Sequence, residues 1–159
     1  MPNAVKPIPD GYHSITPYLA FSGAADAIEF YKKAFGAIEL FRIDGPDGKI
    51  GHAEIKIGDS AIMLADEHPE YKCISPKTLG GSAASIMLYV EDVDAVFKQA
   101  LEAGAEEFRP VENKFYGDRA GSLVDPFGYM WHIGTHVEDV APEEMEQRAA
   151  ALHATAGKE

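Results

Sequence analysis

An internal duplication constrains what this chain can fold into more than any other feature. Strand-like Ser14 to Phe21 (SITPYLAF) leads into the helical stretch SGAADAIEFYKKAFGA and then a short strand, Ile38 to Ile43. The turn DGPDGK separates that strand from HAEIKI (His52 to Ile57), and Gly58-Asp59 turns the chain into AIML (Ala61 to Leu64). The same order returns as SIMLYV (Ser85 to Val90), the helical VDAVFKQALEAGA, a segment around Phe108 to Val111, the loop ENKFYGDR, the strand AGSLVD, the turn DPFG and the strand YMWHIGTH. A shift of 68 residues lays Asp26-Ala27 on Asp94-Ala95 and Gly36-Ala37 on Gly104-Ala105, and a shift of 70 lays Gly51 on Gly121 and Gly58 on Gly128. Repeated supersecondary units bury their apolar faces against one another. The pattern predicts two tandem β-α-β-β-β modules.

Local signals place the elements. Ala24, Ala27, Ile28, Tyr31, Ala34 and Phe35 recur every three or four residues and form one apolar helix face. Ser22 is the expected N-cap of that helix and Gly36 its end, while Asp26 suits the positive first turn. In the second helix Asp92 is the expected cap, and Val93, Val96, Phe97, Ala100 and Leu101 are the apolar stripe. These signals divide the chain into an N-terminal arm (1–11), one domain (12–138) and a C-terminal helix with a frayed tail (139–159). The domain comprises modules of about 12–66 and 84–136 joined by a connector, 67–83, that holds Pro69, Pro76 and Gly80-Gly81. Pro142 suits the first helical position, with Glu143, Glu144 and Glu146 in the early turns.

Composition excludes several function classes. The chain is 46% hydrophobic and 25% charged, within the globular range, and carries a formal net charge of −12. A nucleic-acid groove or an anionic lipid surface requires a concentrated Lys/Arg stripe, and none is present. No apolar run reaches the roughly 20 residues of a membrane span, and MPNAVKPIPDGYHS lacks the apolar stretch of a signal peptide. Cys73 is the single cysteine, so there is no intrachain disulfide and no Cys-based zinc site. The expected address is the cytoplasm, with neither nucleic acid nor membrane as partner.

Strand alternation sorts side chains into two rows. Ala53, Ile55 and Ile57 oppose His52, Glu54 and Lys56; Tyr129, Trp131 and Ile133 oppose Met130, His132 and Gly134. Ile86, Leu88 and Val90 oppose Ser85, Met87 and Tyr89, and Ile15, Leu19 and Phe21 oppose Ser14, Thr16 and Tyr18. One row of each strand is expected beneath the helices, with Trp131 in the core. The other rows combine polar and aromatic groups and suit a partly apolar, concave pocket.

The paired modules, the helix AADAIEFYKKAFGA, the hairpin GDSAIMLADE and above all GDRAGSLVDPFGYMWHIGTHVEDVAPEEM resemble the PhnB-like branch of the vicinal oxygen chelate superfamily, which includes glyoxalases, bleomycin-binding proteins and dioxygenases. The resemblance covers roughly Tyr12 to Met145. It implies an α+β fold whose modules form a cup-shaped mixed sheet with flanking helices around a small-molecule cavity, commonly in a homodimer. It also implies a divalent metal held by strands of both modules, which stabilises oxyanionic charge on a chelated substrate. The family's ligand positions fall at Thr16, at Leu64 or Met63, at Ser85 and at His132. Of these, only His132 is a good ligand for zinc, nickel or iron, which want about three His, Glu, Asp or Cys donors. No cofactor is therefore expected. A divalent metal, if bound, would sit on His132 with Glu54 or His52.

The expected ligand-binding residues are Thr16, Tyr18, His52, Glu54, Ser85, Met87, Tyr89, Tyr116, Arg119 and His132, with His132 and Glu54 as the catalytic candidates. Glu54 reads either as a base raised by desolvation or as a cross-strand partner of Lys56, His52 or Arg119. Arg119 reads as an anion clamp or as an ion pair with Asp118 or Asp125. Two functions are open: a metal-independent binder of a small molecule, or a metal-dependent lyase, isomerase or dioxygenase acting on a small oxygenated substrate.

Overall fold

A computed structural model describes residues 5–156, so the first four residues of the expected arm and the last three of the expected frayed tail lie outside the described residues. The first module runs β1 (Tyr18–Phe21), α1 (Ala24–Phe35), β2 (Ile38–Asp44), β3 (Ile50–Ile57) and β4 (Ser60–Asp66). A connecting stretch contains the short α2 (Pro76–Leu79). The second module runs β5 (Ser85–Tyr89), α3 (Val93–Ala103), β6 (Glu106–Asn113), β7 (Asp118–Val124) and β8 (Met130–His136), and α4 (Pro142–Ala156) follows. No helix among the described residues is long and apolar enough to cross a membrane. The fold is α+β, as the duplication predicts.

The strands form two separately hydrogen-bonded sheets of identical order, β1-β4-β3-β2 and β5-β8-β7-β6. In each, the first strand runs parallel to the fourth and the other pairs are antiparallel. Tyr18, Met63, Glu54 and Phe41 lie side by side across the first sheet. Met87, His132, Ser122 and Arg109 form the corresponding row of the second. Met63 is thus the counterpart of His132. Leu64, the alternative, points the other way and is fully buried. Both modules share a bulge at the same place: Glu39 faces Ile55 but Phe41 faces Glu54, and Glu107 faces Leu123 but Arg109 faces Ser122. The extra residue, Leu40 or Phe108, reverses the inward and outward sense of the residue that follows it, Phe41 or Arg109, and a second register shift comes later in each strand, before Asp44 and before Glu112.

Several local expectations need correction. The first strand starts at Tyr18, not Ser14, and Ile15 is 87% exposed instead of joining Leu19 and Phe21 in the core. The segment around Phe108 is part of an eight-residue strand. Ser22 does not cap α1; the N-cap is Gly23 without a side-chain bond. The carboxylate of Asp66, from the end of β4, accepts instead from the backbone N–H groups of Gly23 and Ala24 at 2.9 Å and of Ile50 at 2.7 Å. A buried carboxylate thereby satisfies the helix N-terminus from a distant strand. Asp92 caps α3 as expected, accepting from Ala95 N–H at 3.0 Å, and Gly36 ends α1 in the left-handed conformation.

The helix-bearing faces of both sheets meet in one core. Trp131 lies beside Tyr31 and Phe35 of α1, with ring centroids 5.3 and 4.6 Å apart. Buried Asp125 accepts from Tyr31 Oη at 2.5 Å, Trp131 Nε1 at 2.9 Å and the N–H groups of Phe127 and Tyr129 at 2.9 and 3.0 Å. Burial raises its carboxyl pKa, against the lowering effect of these donors. The Tyr129 hydroxyl in turn accepts from Ala20 N–H at 3.1 Å and donates to Ala20 C=O at 2.8 Å, satisfying the free edge of β1 from the other module. Removing the hydroxyl with Tyr31→Phe is expected to cost about 1.5–3 kcal/mol, the range for hydrogen bonds to charged groups. Asp125→Ala, which strands several donors, is expected to cost more. Urea unfolding of both variants measures the order.

The C-terminal segment is fastened to β7 and β8. Val137 and Glu138 donate backbone N–H groups to the carbonyl of Gly117 at 2.9 and 3.0 Å. Gly117 sits at φ +96°, and a Cβ there would collide with the Glu138 carbonyl, so only glycine admits this approach. His136 bridges Asp118 through Nδ1 and Asp139 through Nε2, both at 2.8 Å. The hydrogen bonds to Asp139 and then Asp118 raise the imidazole pKa. Because the folded value lies above the unfolded one, the resulting stabilisation is complete below the unfolded value of about 6.5 and disappears as pH rises through the folded value. Amide shifts of 137–145 in an NMR titration are therefore expected to follow His136 deprotonation, and His136→Ala is expected to abolish that dependence.

Candidate functional site

The shared core leaves each sheet one face pointing away from the helices, and these two open faces carry most of the expected site residues. On the first sheet, alternation along β3 brings out His52 and Glu54, and β1 brings out Tyr18 beside them. The Tyr12 hydroxyl donates to Glu54 Oε2. Glu54 Oε1 lies 3.1 Å from His52 Nε2, and His52 Nδ1 lies 2.8 Å from Tyr18 Oη. A carboxylate only accepts, so the neutral His52 ring carries its proton on Nε2 and Nδ1 accepts from Tyr18. Desolvation, and then the charge of Cys73, raise the Tyr18 pKa. The result is a four-residue chain of exchangeable protons. Of the partners considered for Glu54, His52 is the one observed, as a neighbour two residues away on the same strand and not across the ladder. Tyr12 lies before the first strand, outside the reach of strand alternation.

The second open face centres on His132. Its Nδ1 is 2.7 Å from Ser122 Oγ and its Nε2 is 3.2 Å from Ser85 Oγ, two hydroxyls that can each donate or accept. Met87 is its register partner on β5, Ala120 lines a cleft with it, and Tyr89 donates to Asp118 Oδ2 at 2.8 Å. Ser122 was not among the expected residues although it faces His132 directly across the ladder. Arg119 is a correction. Its guanidinium makes a two-pronged pair with Asp94 of α3, 2.7 Å on each side, and pairs with neither Asp118 nor Asp125. It lies on the helix side and does not reach the His132 face.

Several clefts border these faces. The largest, about 680 Å³, runs along the seam between the approach to β1 and strand β5; it includes Thr16, Met87 and Tyr89 but neither Glu54 nor His132. A second, about 630 Å³, lies between Tyr18 and the connecting stretch at His68, Tyr71 and Cys73. A third, about 340 Å³, is lined by His132, Ser122, Met87, Tyr116, Arg109 and Lys114, with no residue of the first module. Glu54 and His132 therefore belong to separate surfaces of one chain. The family's four metal-ligand positions hold a hydroxyl, a thioether, a hydroxyl and an imidazole, which do not make a site for zinc, nickel or iron. Among the described residues no three His, Cys, Asp or Glu side chains converge.

The profile of the Glyoxalase/Bleomycin resistance protein/Dioxygenase superfamily matches residues 13–133. The chain belongs to that superfamily. An uncharacterized protein of Mycobacterium tuberculosis strain H37Rv is 43% identical over 136 residues, which is 84% of this chain and 80% of that protein. The structure of TioX from Micromonospora sp. ML1 superposes with a TM-score of 0.62 at 26% identity, covering 79% of this chain and 99% of TioX. The fold is also that of the PhnB protein of Bacillus cereus, with a TM-score of 0.59 at 21% identity over 77% of this chain and 99% of that one. The superfamily resemblance read from the Gly117–His136 block thus agrees with the sequence profile, and the likeness to the PhnB protein is one of fold.

Long-range proton–nitrogen NMR is expected to find the neutral His52 ring as the Nε2–H tautomer. In Glu54→Gln the side-chain carbonyl or amine can face the ring, and the single tautomer is expected to give way to a mixture.

Proposed function

We propose that this superfamily member binds a small molecule on the open faces of its sheets and does so without a resident metal. The donor set carries the reading: the positions where relatives of this fold would place ligands are filled by Thr16, Met63, Ser85 and His132, and only the last is a strong donor for a borderline cation. The aromatic and sulfur-bearing groups among the polar ones, Tyr18, Met87, Tyr89 and Tyr116, suit contact with a ligand's apolar body.

A homodimer is part of the proposal. One chain turns its two open faces away from its own core, and Ile38, Phe41, Ile43 and Tyr18 on the first face are each at least half exposed. A second copy laid against these faces would cover apolar surface and bring the face bearing Glu54, Tyr12 and Tyr18 toward one bearing His132 and Arg109. Light scattering at micromolar concentration is expected to report twice the 17.2 kDa chain mass; a 17.2 kDa particle would refute the pairing. The cytoplasm is the proposed compartment, supported by the acidic composition and the single cysteine.

A second reading is favoured by one observation, the Tyr12–Glu54–His52–Tyr18 chain. Glu54 fixes the His52 ring, whose Nδ1 faces a tyrosine hydroxyl, an arrangement able to move a proton to or from a small oxygenated substrate. The metal-dependent lyase, isomerase or dioxygenase alternative needs donors beyond His132 and the His52–Glu54 pair. Elemental analysis of protein purified without chelator separates the readings. The proposal expects well below one equivalent of metal, together with shifts of melting temperature or Trp131 fluorescence in a screen of small aromatic and metabolite ligands. Stoichiometric metal lost on His132→Ala would overturn the metal-free reading, and a screen without a single shift would overturn binding.

A further inference from the structure

The chain has four arginines and an excess of acidic residues, 26 against 14 basic. Arg42 pairs with Glu39, Arg119 with Asp94, and Arg148 with Glu138 and Glu144, at 2.6–2.8 Å for their shortest contacts. Arg109 alone, among the described residues, has no hydrogen-bonded carboxylate. Its guanidinium instead lies 5.5 Å from the ring centroid of Phe108. A lone exposed arginine is ordinary on a basic surface and unexpected here, where acids outnumber bases nearly two to one.

Its position is set by the backbone. Without the bulge, Arg109 would share the sense of Glu107 and face the helices. The extra residue, Phe108, turns Arg109 to the open face, where it pairs in register with Ser122, which in turn faces His132. The 340 Å³ cleft in front of this row collects Arg109, Lys114, His132 and Ser122 along with the walls of Met87 and Tyr116. The small residues Ala120 and Gly121 complete its lining. Acidic groups are also near: Glu112 is bonded to Lys114 and feels the charge of Arg109, and Asp118 is occupied by Tyr89 and His136. Arg109 is left with its planar fork of donors open, and Ser122 and His132 offer neighbouring donors.

We propose that this cleft is an anion seat: Arg109 grips the carboxylate of a small organic acid, Ser122 and His132 contribute further hydrogen bonds, and Met87 and Tyr116 cover the acid's apolar body. A guanidinium fork matches a carboxylate in two parallel bonds. A cleft of this volume is at the small end of ligand sites, fitting a compact metabolite and not a polymer. The inference rests on the binding reading above and adds to it the charge of the ligand and the residue that recognises it. It also moves the anion-binding role from Arg119, whose fork is already filled by Asp94, to Arg109.

The test uses the intact chain, with benzoate, its uncharged isostere benzamide and inorganic phosphate as probes at one ionic strength. The amides of Ser122 and Gly134 and the Arg109 Nε resonance are followed by NMR. Benzoate is expected to bind at least about 10-fold more tightly than benzamide, the difference of one charge-assisted pair, and more tightly than phosphate, which lacks the apolar body. Arg109→Gln is expected to reduce benzoate to the benzamide value, whereas Arg119→Gln leaves it unchanged. Because Arg109 is exposed and its side chain makes no hydrogen bond or salt bridge among the described residues, its replacement does not threaten the fold. Equal binding of benzoate and benzamide, or benzoate binding unaffected by Arg109→Gln, would overturn the anion seat while leaving the binding face standing. Phosphate binding as tightly as benzoate would overturn the organic-acid assignment. No shift with any probe at millimolar concentration would overturn the seat as well, and the wider ligand screen then decides independently whether the faces bind anything.

Discussion

A single buried carboxylate organises the junction of the two modules. Asp125 lies at the turn between β7 and β8 and draws four donors to itself, one of them the hydroxyl of Tyr31 on the first module's helix. Burying such a charge is unfavourable unless it is well bonded, and removing a partner leaves the penalty behind. Its partners are therefore locked: Trp131 is held against α1, and the turn is held so that Tyr129 reaches across to both backbone groups of Ala20. The two modules are joined by these specific polar bonds inside an aromatic core, with Gln99 adding a further bond to the Ala34 carbonyl at 2.9 Å.

That arrangement sends the two open faces to opposite sides of one core and so divides the chemistry. The first face holds a proton chain ending in Glu54 and Tyr12. The second holds an imidazole between two serines and an arginine without an internal counter-ion. A metal site spanning both modules would need donors that share one cavity, and among the described residues no three His, Cys, Asp or Glu side chains converge. The faces differ in their side chains as well: Glu54 lies among Tyr12, His52 and Tyr18 on the first, and Arg109 stands in one row with Ser122 and His132 on the second.

Legibility in the sequence followed strand regularity. Along β3 and β8, where no residue interrupts the ladder, alternation placed His52 and Glu54 outside, Trp131 inside and His132 outside. Along β6 it could not, because Phe108 is an extra residue that turns Arg109 to the other side, and a second register shift follows before Glu112. Phe41, the counterpart of Arg109, lies behind the corresponding bulge of the first module. Arg119 was misjudged for a different reason. Its partner, Asp94, is 25 positions away in sequence, whereas local pairing rules point to the nearer Asp118 and Asp125. Helix α1 repeats the lesson: Ser22 has a suitable side chain beside the helix start, but Asp66 is brought there by the parallel pairing of β1 with β4 and offers a full charge.

The sequence by itself determined the duplicated α+β architecture, the helix faces, the glycine that ends α1 and the side of the sheet on which each residue of an unbroken strand would lie. Those properties depend on backbone periodicity and on neighbours a few positions apart. Only the tertiary structure decided which carboxylate caps which helix, which arginine remains without a partner, and that Glu54 and His132 stand on different surfaces. Each of those depends on strand register and on how two modules share one core, and contacts of that kind join residues whose distance along the chain carries no signal.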